Sequence, residues 1–284
     1  GGTGLSRFAA EFPQRFFDVG IAEEHAVTFA SGLSRNGVLP VFAVYSTFLQ
    51  RCYDQILNDT AILGQHIVLA VDRAGIVPDD GETHQGIFDL AYLGHIPNMT
   101  VLAPADEEEL RLMTRTACAF DGPCSIRYPK SAVSLPEGYS VSSFEIGKWL
   151  TLREGTDAVI LAVGSMVATA LRVAEALAQD GISLTVVNAS TVKPLDMECL
   201  RRVFEMERPI FTLEEHVRMA GFGSSVLEAA SEMGFQPRVK LLAVDDYFVP
   251  HGDHAHLLRD TGLDDESVIR TIRTELNREE STNV

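Results

Sequence analysis

The sequence predicts an α/β fold with two doubly wound domains, each built on a mostly parallel sheet. Three observations predict this class. The chain has 284 residues, enough for two ordinary domains. Apolar runs of strand length alternate with longer amphipathic segments along most of the chain. The stretch 131–143 is rich in serine, with one proline and one glycine, and has the composition of a linker. We therefore predict one domain at 1–131 and a second at 144–284.

The elements of the first domain follow from apolar spacing and from residues typical of helix ends. A helix is predicted over 24–36, ended by Gly37, and a second over 49–61, where apolar residues recur at intervals of three and four. Asp106 precedes three glutamates and is predicted to cap a third helix. Buried strands are predicted at 40–45, 66–71, 99–103 and 125–128. Because the Gly-rich first residues hold no opening strand and helix, we expect the N-terminal part of this domain to be missing.

The second domain repeats the same alternation. Its strands are predicted at 158–163, 184–188, 209–213 and 239–244. Its helices are predicted at 166–179, 196–206, 223–233 and 265–277. Strands that alternate with helices in this order predict a second mostly parallel sheet.

Charge and cysteine content limit the classes of function. The chain has 40 acidic residues against 23 lysines and arginines, and its net charge of −17 disfavours binding to nucleic acid. No apolar run approaches the ~20 residues that a membrane span needs, and the first residues do not resemble a signal peptide. The four cysteines are scattered, with no Cys-x-x-Cys pair, which fits reduced thiols and a cytoplasmic protein.

Segments rich in acids, aromatics and cations lie at the expected ends of strands in the first domain. They are 18–25, 45–51, 72–86 and 127–130. Because the carboxyl ends of parallel strands meet at one edge of a sheet, we expect these segments to lie together. One of them contains a long loop, 74–86, in an otherwise tightly connected domain, and such loops are often functional. The convergence predicts an active site at this edge.

Each candidate residue also has a simpler explanation, which the residues alone leave open. Glu23 and Glu24 suit the first turn of a helix, where the dipole favours acids. Tyr45 and Phe48 suit the core, the more common place for aromatics. Three other candidates suit an ordinary polar surface: Arg73, His84 and Lys130.

Longer stretches around these residues resemble one enzyme family. They are Phe-Phe-Asp-Val-Gly-Ile-Ala-Glu-Glu-His (16–25), Tyr-Ser-Thr-Phe-Leu-Gln-Arg (45–51), Asp-Arg-Ala-Gly-Ile-Val (72–77), Thr-His-Gln-Gly (83–86), Val-Lys-Pro-Leu-Asp (192–196) and Leu-Glu-Glu-His (213–216). In residue identity, order and spacing they resemble the 1-deoxy-D-xylulose-5-phosphate synthases, which are transketolase-like enzymes dependent on thiamine diphosphate. The similarity runs through essentially the whole chain.

The resemblance implies that the first domain binds the pyrimidine of the cofactor and that the second is the transketolase C-terminal domain. In that family a preceding domain holds Mg²⁺ and the diphosphate. This sequence contains neither that domain nor its Gly-Asp-Gly…Asn motif. We therefore expect no metal ligands in this chain and no activity from the chain alone. The implied cofactors are thiamine diphosphate and Mg²⁺, and the implied assembly is a homodimer.

The resemblance also implies roles for individual residues. Glu23 matches the catalytic glutamate that faces the aminopyrimidine ring, and Phe48 matches the aromatic that stacks on that ring. Three residues match those that hold the phosphate of the acceptor aldehyde: Tyr45, Arg73 and Lys130. Three more match groups near the reacting carbons or the same pocket: Asp80, the catalytic His84 and Arg51.

Three positions depart from the family pattern. Lys130 stands where arginine is usual, so a bidentate phosphate contact becomes a point charge. Glu24 replaces the usual glutamine. Pro78 and Asp79 replace a more flexible Gly-Ala pair before Asp80, which argues against a freely mobile loop.

By resemblance, the reaction joins pyruvate to glyceraldehyde 3-phosphate with loss of CO₂ and supplies isoprenoid, thiamine and pyridoxal synthesis. The first alternative is another thiamine enzyme, either a transketolase or the β-subunit of a 2-oxo acid dehydrogenase. The second is a non-catalytic fragment or an assembly subunit of another transketolase-type enzyme. Other thiamine enzymes share the fold and the glutamate but not the 45–51 and 83–86 stretches. The histidine-rich stretch 251–256 suits either a zinc site or a helix start capped by Asp253, and the residue types favour the cap.

Overall fold

The first part of the chain forms a parallel sheet with flanking helices. The computed structural model describes the backbone of residues 2–282 and the side chains of residues 2–277. Its strands are β1 (Val41–Tyr45), β2 (Val68–Asp72), β3 (Thr100–Leu102) and β4 (Cys124–Arg127). They lie in the order β1-β2-β4-β3, with all neighbours parallel. The helices are α1 (Ser6–Glu11), α2 (Glu23–Arg35), α3 (Ser46–Leu49), α4 (Tyr53–Gln55), α5 (Asp89–Gly94) and α6 (Glu107–Ala119).

The helix predicted over 49–61 is a helical run of changing pitch. It starts with α3, tightens to a 3₁₀ turn at Gln50–Cys52, continues as α4 and widens to a π-helix at Ile56–Ala61. Apolar spacing predicts the run but not its pitch, because leucine, isoleucine and alanine suit all three helix types. Such changes of pitch are frequent near functional sites. Here the run begins directly after β1 and carries Phe48 and Arg51.

The second part of the chain forms another five-stranded sheet. The strands are β5 (Leu150–Arg153), β6 (Ala158–Ala162), β7 (Leu184–Asn188), β9 (Ile210–Val217) and β10 (Val239–Val244). They lie in the order β10-β9-β6-β7-β5, and all neighbours are parallel except β5 and β7. The helices are α7 (Met166–Ala178), α8 (Met197–Glu205), α9 (Phe222–Met233), α10 (His254–Thr261) and α11 (Asp265–Thr282). The predicted α/β class, with two mostly parallel sheets, is confirmed.

One strand crosses from the second half into the first sheet. Strand β8 (Thr191–Lys193) pairs antiparallel with β3 at the edge of that sheet. The largest apolar cluster is also shared, since it includes Leu69 and Val101 of the first half and Leu161 and Phe222 of the second. The two sheets are therefore joined through an edge strand and through a common core.

Most predicted elements are present, and two predicted caps are confirmed. Asp106 accepts a hydrogen bond from the Glu109 backbone at 2.8 Å, and Asp253 accepts one from the His256 backbone at 3.0 Å. The unpredicted elements are short or lie at sheet edges, where the apolar pattern is weak: α1, α5, β5 and β8. The 131–143 stretch contains neither helix nor strand. Among the described residues, no helix has the length and hydropathy needed to cross a membrane.

Candidate active site

A row of stacked rings and cations lies beyond the carboxyl ends of β1 and β2. The Arg73 guanidinium lies 3.8 Å from the centroid of the Tyr45 ring. Tyr45 stacks on Phe48, with ring centroids 5.4 Å apart and planes inclined by 14°. On the Phe48 ring lies the Arg51 guanidinium, 4.9 Å from its centroid. Four of the predicted site residues therefore form one continuous row, in which each cation lies over an electron-rich ring.

One end of the row meets the carboxylate of Glu23. This residue begins α2 and is 8% exposed, and its Oε1 accepts a hydrogen bond from Nη1 of Arg51 at 2.8 Å. The start of a helix favours a negative charge, because its free N–H groups and dipole are positive. Helix and guanidinium thus hold a nearly buried carboxylate, and Arg51 links it to the Phe48 ring. The first-turn explanation of Glu23 is correct for its position, and the ion pair with Arg51 also connects this carboxylate to the row.

The other end of the row is the pair formed by Arg73 and Asp72. Nη1 of Arg73 donates to Oδ2 of Asp72 at 2.7 Å and to the Gly2 carbonyl at 3.2 Å. Arg73 has a φ of +57°, so the backbone turns sharply as it leaves β2. Burial raises the pKa of Asp72, and the charge and hydrogen bonds of Arg73 act in the opposite direction. Arg73 is therefore a partly buried, paired cation, and the simple surface explanation does not describe it.

The 74–86 loop brings His84 to the side of the row. The imidazole meets the Phe48 ring edge-on, with centroids 5.4 Å apart and planes at 73°. Nδ1 of His84 lies 2.9 Å from the Thr83 hydroxyl, and Thr47 donates to the Thr83 carbonyl at 2.8 Å. The loop is thereby fastened to α3, the helix that carries Phe48. His84 is partly buried and in contact with an aromatic ring, so the solvated alternative is wrong.

Asp80 and Lys130 form a separate pair. Nζ of Lys130 lies 3.3 Å from Oδ2 of Asp80, and about a third of each side chain is exposed (33% and 36%). No hydrogen bond or ring contact in the described part of the chain joins this pair to the row. The structure therefore gathers Glu23, Tyr45, Phe48, Arg51, Arg73 and His84, and it leaves Asp80 and Lys130 paired with each other.

A buried ion pair beneath the loop was not singled out from the sequence. Arg127 is 5% exposed, and its Nε donates to Oδ2 of Asp89 at 2.7 Å. Its Nη2 also donates to the carbonyls of Gly86 and Glu215, at 3.4 and 3.3 Å. One guanidinium thus connects the end of the loop, α5 and β9. Arg127 lies in the predicted 127–130 segment, but its partner Asp89 begins a helix that apolar spacing did not predict.

The Leu-Glu-Glu-His stretch contributes buried polar groups next to this ion pair. Burial lowers the pKa of His216 to about 4. Its Nε2 accepts from the Ala91 backbone at 3.2 Å, so its Nδ1 carries the proton and donates to the Val217 carbonyl at 2.8 Å. Burial also raises the pKa of Glu214 to about 7, although two backbone N–H groups at the start of α9 donate to it. Glu214 therefore organises the second half, and His216 joins β9 to α5 of the first half.

Comparison with known proteins defines the class to which this site belongs. Residues 1–136 match the family model described as transketolase, pyrimidine binding domain, and residues 147–268 match transketolase, C-terminal domain. A solved structure described as a split gene transketolase, inactive beta4 tetramer, is 34% identical with a TM-score of 0.86. The match covers 97% of this chain and 88% of that chain. The chain belongs to the transketolase family of thiamine diphosphate enzymes.

Curated relatives narrow the resemblance to one enzyme of this family. The 1-deoxy-D-xylulose-5-phosphate synthase of Pelotomaculum thermopropionicum is 49% identical over 276 residues, which is 96% of this chain and 43% of that protein. The enzyme of the same name from Shouchella clausii is 47% identical over 274 residues, or 96% of this chain and 44% of that protein. The chain thus spans under half the length of these relatives. The transketolase from Campylobacter jejuni, at 19% identity and a TM-score of 0.75, supports the fold.

The residues present fit the pyrimidine half of the cofactor. An aminopyrimidine needs an acid that shares a proton with a ring nitrogen and an apolar face on which to stack. Glu23, 8% exposed, is such an acid, and the partly buried ring of Phe48 is such a surface, with Arg51 and Tyr45 against it in this structure. No group of three or more acids, histidines or cysteines among the described residues is arranged to hold a metal ion.

Proposed function

We propose that this chain is the pyrimidine-binding and C-terminal part of a 1-deoxy-D-xylulose-5-phosphate synthase. That enzyme condenses pyruvate with glyceraldehyde 3-phosphate, releases CO₂ and supplies isoprenoid, thiamine and pyridoxal synthesis. The observation that carries the proposal is the nearly buried Glu23 carboxylate, held by Arg51, whose guanidinium also lies over the ring of Phe48. The choice among transketolase-type reactions is supported by the name and the 47–49% identity of the curated relatives.

In the proposed mechanism, Glu23 and Phe48 act on the aminopyrimidine. Thiamine diphosphate, when bound, would supply a carbon nucleophile for the 2-oxo group of pyruvate and an acceptor for the electrons left by loss of CO₂. Glu23 exchanges a proton with the pyrimidine nitrogen and so makes the ring a better base. Arg51 holds the Glu23 carboxylate in position at 2.8 Å. Phe48 orients the ring by stacking.

The remaining site residues act on the acceptor aldehyde. We assign its phosphate to Tyr45, Arg73 and Lys130, and its reacting carbons to Asp80 and His84. In the structure each of the two cations has a carboxylate partner, Asp72 for Arg73 and Asp80 for Lys130. The incoming phosphate therefore competes with these carboxylates for the two cations. Charge-assisted hydrogen bonds from two or more donors to the phosphate compensate for the ion pairs that are lost. His84 meets the Phe48 ring edge-on and so contacts a residue that we assign to the pyrimidine.

The diphosphate and Mg²⁺ are, in this proposal, held by residues outside this chain. We call the chain together with that diphosphate-binding part the assembled enzyme, and we propose a cytoplasmic homodimer in which the isolated chain has no turnover. The four free cysteines agree with a reducing compartment. A subunit of a split transketolase is the second candidate, favoured by the 34% identical structure described as a split gene transketolase. The two differ in substrate, since only the first forms 1-deoxyxylulose 5-phosphate from pyruvate.

The proposal is tested with Glu23→Gln in the assembled enzyme. Glutamine keeps the shape and the hydrogen bond from Arg51 but cannot exchange a proton with the ring nitrogen. We expect hydrogen–deuterium exchange at C2 of the cofactor and product formation to fall by about 10²-fold or more. NMR measures the exchange, and product analysis measures turnover with pyruvate and glyceraldehyde 3-phosphate. If Glu23→Gln exchanges at the wild-type rate, the assignment of Glu23 is wrong. If the wild-type enzyme forms no product from the two substrates, the proposed reaction is wrong.

A further inference from the structure

The 74–86 loop is closed at its base and lightly held in its middle. The backbones of Gly75 and Gly86 exchange two hydrogen bonds, at 2.7 and 2.9 Å. The Gln85 side chain donates to and accepts from the backbone of Val77. Further along, the Asp79 backbone donates to the carbonyl of Gly252 in the second half, at 3.1 Å. The base of the loop sets the direction in which the chain leaves β2, and contacts further along hold Asp80 and His84.

The base of the loop rests on the side chain of Glu215, which belongs to β9 of the second half. Glu215 is 2% exposed, and its Oε2 accepts a hydrogen bond from the Ser165 hydroxyl at 3.3 Å. A Cβ atom placed on Gly75 would lie 2.1 Å from this same Oε2. The carboxylate and Gly75 are therefore in direct van der Waals contact. Gly75 has a φ of +86°, a conformation that only glycine adopts without strain.

The carboxylate of Glu215 also contacts an imidazole of the second half. Its Oε1 lies 3.4 Å from Nε2 of His254, an ion pair when the imidazole is protonated, and the contact with Glu215 raises the pKa of His254. Its neighbour Glu214, in contrast, accepts two backbone N–H groups at the start of α9 and so stabilises the second half directly. Glu215 instead contacts groups on three separate segments: Ser165, His254 of α10 and Gly75 of the loop.

We propose that Glu215 is a positioning residue for the 74–86 loop. Its carboxylate, fixed by Ser165, supports Gly75 and sets the direction in which the chain leaves β2, so that Asp80 and His84 lie at the active-site edge. The second half thereby contributes to catalysis without touching substrate. The role of Asp80 and His84 rests on the proposed function, whereas the support of the loop by Glu215 does not.

Hydrogen–deuterium exchange on the 284-residue chain tests the support itself. In Glu215→Ala the amides of 77–86 should exchange about tenfold faster, because the base of the loop loses its contact and opens locally. Ser165→Ala, which removes only the hydrogen bond that fixes the carboxylate, should give roughly a threefold increase. Glu215→Gln keeps an acceptor for Ser165 and should retain wild-type protection. Glu214→Gln is the matched control: it alters the adjacent buried carboxylate and should leave exchange in the loop unchanged. Wild-type protection in both alanine variants overturns the proposal.

Rate measurements on the assembled enzyme distinguish a positioning role of Glu215 from a general effect on stability. Glu215→Ala should lower product formation about tenfold while C2 exchange of the cofactor stays at the wild-type rate, because Glu23 and Phe48 lie outside the loop. A parallel fall in both rates would make Glu215 merely structural and overturn the proposal. If Glu215→Ala does not fold, Ser165→Ala carries both measurements with the same directions. Absence of product from wild-type enzyme would count against the proposed function alone, since exchange in the loop is measured independently.

Discussion

Glu109 joins the two halves of the molecule through a buried carboxylate that is costly to ionise. It is 1% exposed, and it accepts hydrogen bonds from the Ala105 backbone at 2.6 Å and from Nδ2 of Asn188 on β7 at 2.9 and 3.0 Å. Burial nevertheless raises the pKa of Glu109 from 4.5 to about 7. The Oδ1 atom of Asn188 is buried and has no hydrogen-bond partner. We predict that Glu109→Gln stabilises the protein at pH 8.

The sign and size of this effect follow from the pKa. A carboxyl whose pKa is raised by folding stabilises the folded state below the unfolded pKa, and this contribution is lost as the pH rises from 4.5 to about 7. Since one pH unit corresponds to about 1.4 kcal/mol, ionised Glu109 costs on the order of 3 kcal/mol above pH 7. Glutamine avoids that cost and, after rotation of the Asn188 amide, donates to the unpaired Oδ1. The free energy of unfolding of the variant should equal that of wild type near pH 4.5. It should exceed the wild-type value by a growing amount as the pH rises to 7.5.

Denaturant unfolding at several pH values measures the difference. Trp149, the single tryptophan, is buried and donates to the Thr191 carbonyl of β8, so its fluorescence reports on the junction of the two halves. The control is Glu108→Gln on the exposed face of α6, where we expect a change of less than about 0.5 kcal/mol. If the difference between Glu109→Gln and wild type is the same at pH 5 and pH 8, Glu109 ionises normally in the folded protein and the reasoning is wrong.

Two further predictions concern the phosphate contacts and a helix cap. In the assembled enzyme, Arg73→Ala should raise KM for glyceraldehyde 3-phosphate about ten- to a hundredfold, while Lys130→Arg should be tolerated or tighten binding through a bidentate contact. Steady-state kinetics with glyceraldehyde lacking its phosphate is the control, and equal weakening of both aldehydes would show a structural role for Arg73. Asp106→Ala should lower the free energy of unfolding by about 1 kcal/mol, because the Glu109 N–H loses its acceptor. Denaturant titration checks this, and an unchanged midpoint would show that water replaces the cap.

The sequence predicts the two sheets and the row of site residues because both depend on local signals. Helix α2 and strands β6 and β7 lie within a residue of their predicted bounds, since apolar spacing and a following glycine define them. Residues at the ends of neighbouring parallel strands lie together for topological reasons alone. The partners of these residues follow from no such signal. That Arg73 pairs with Asp72 and that Arg127 pairs with Asp89 depends on rotamers and on α5, which only the tertiary structure determines.

The first sheet is completed by β8, which lies in the second half of the chain. The ribosome synthesises β8 only after β5, β6 and β7, three strands of the second sheet. Until Thr191–Lys193 leave the ribosome, the edge of β3 has no partner and remains open to pairing with another chain. A cut in the 131–143 stretch therefore does not release two self-sufficient domains. The N-terminal fragment loses β8 from the edge of its sheet. The C-terminal fragment keeps β8, which then has no strand to pair with. Attempts to express the pyrimidine-binding half alone should include the β8 residues, for example as a permuted extension that follows β4.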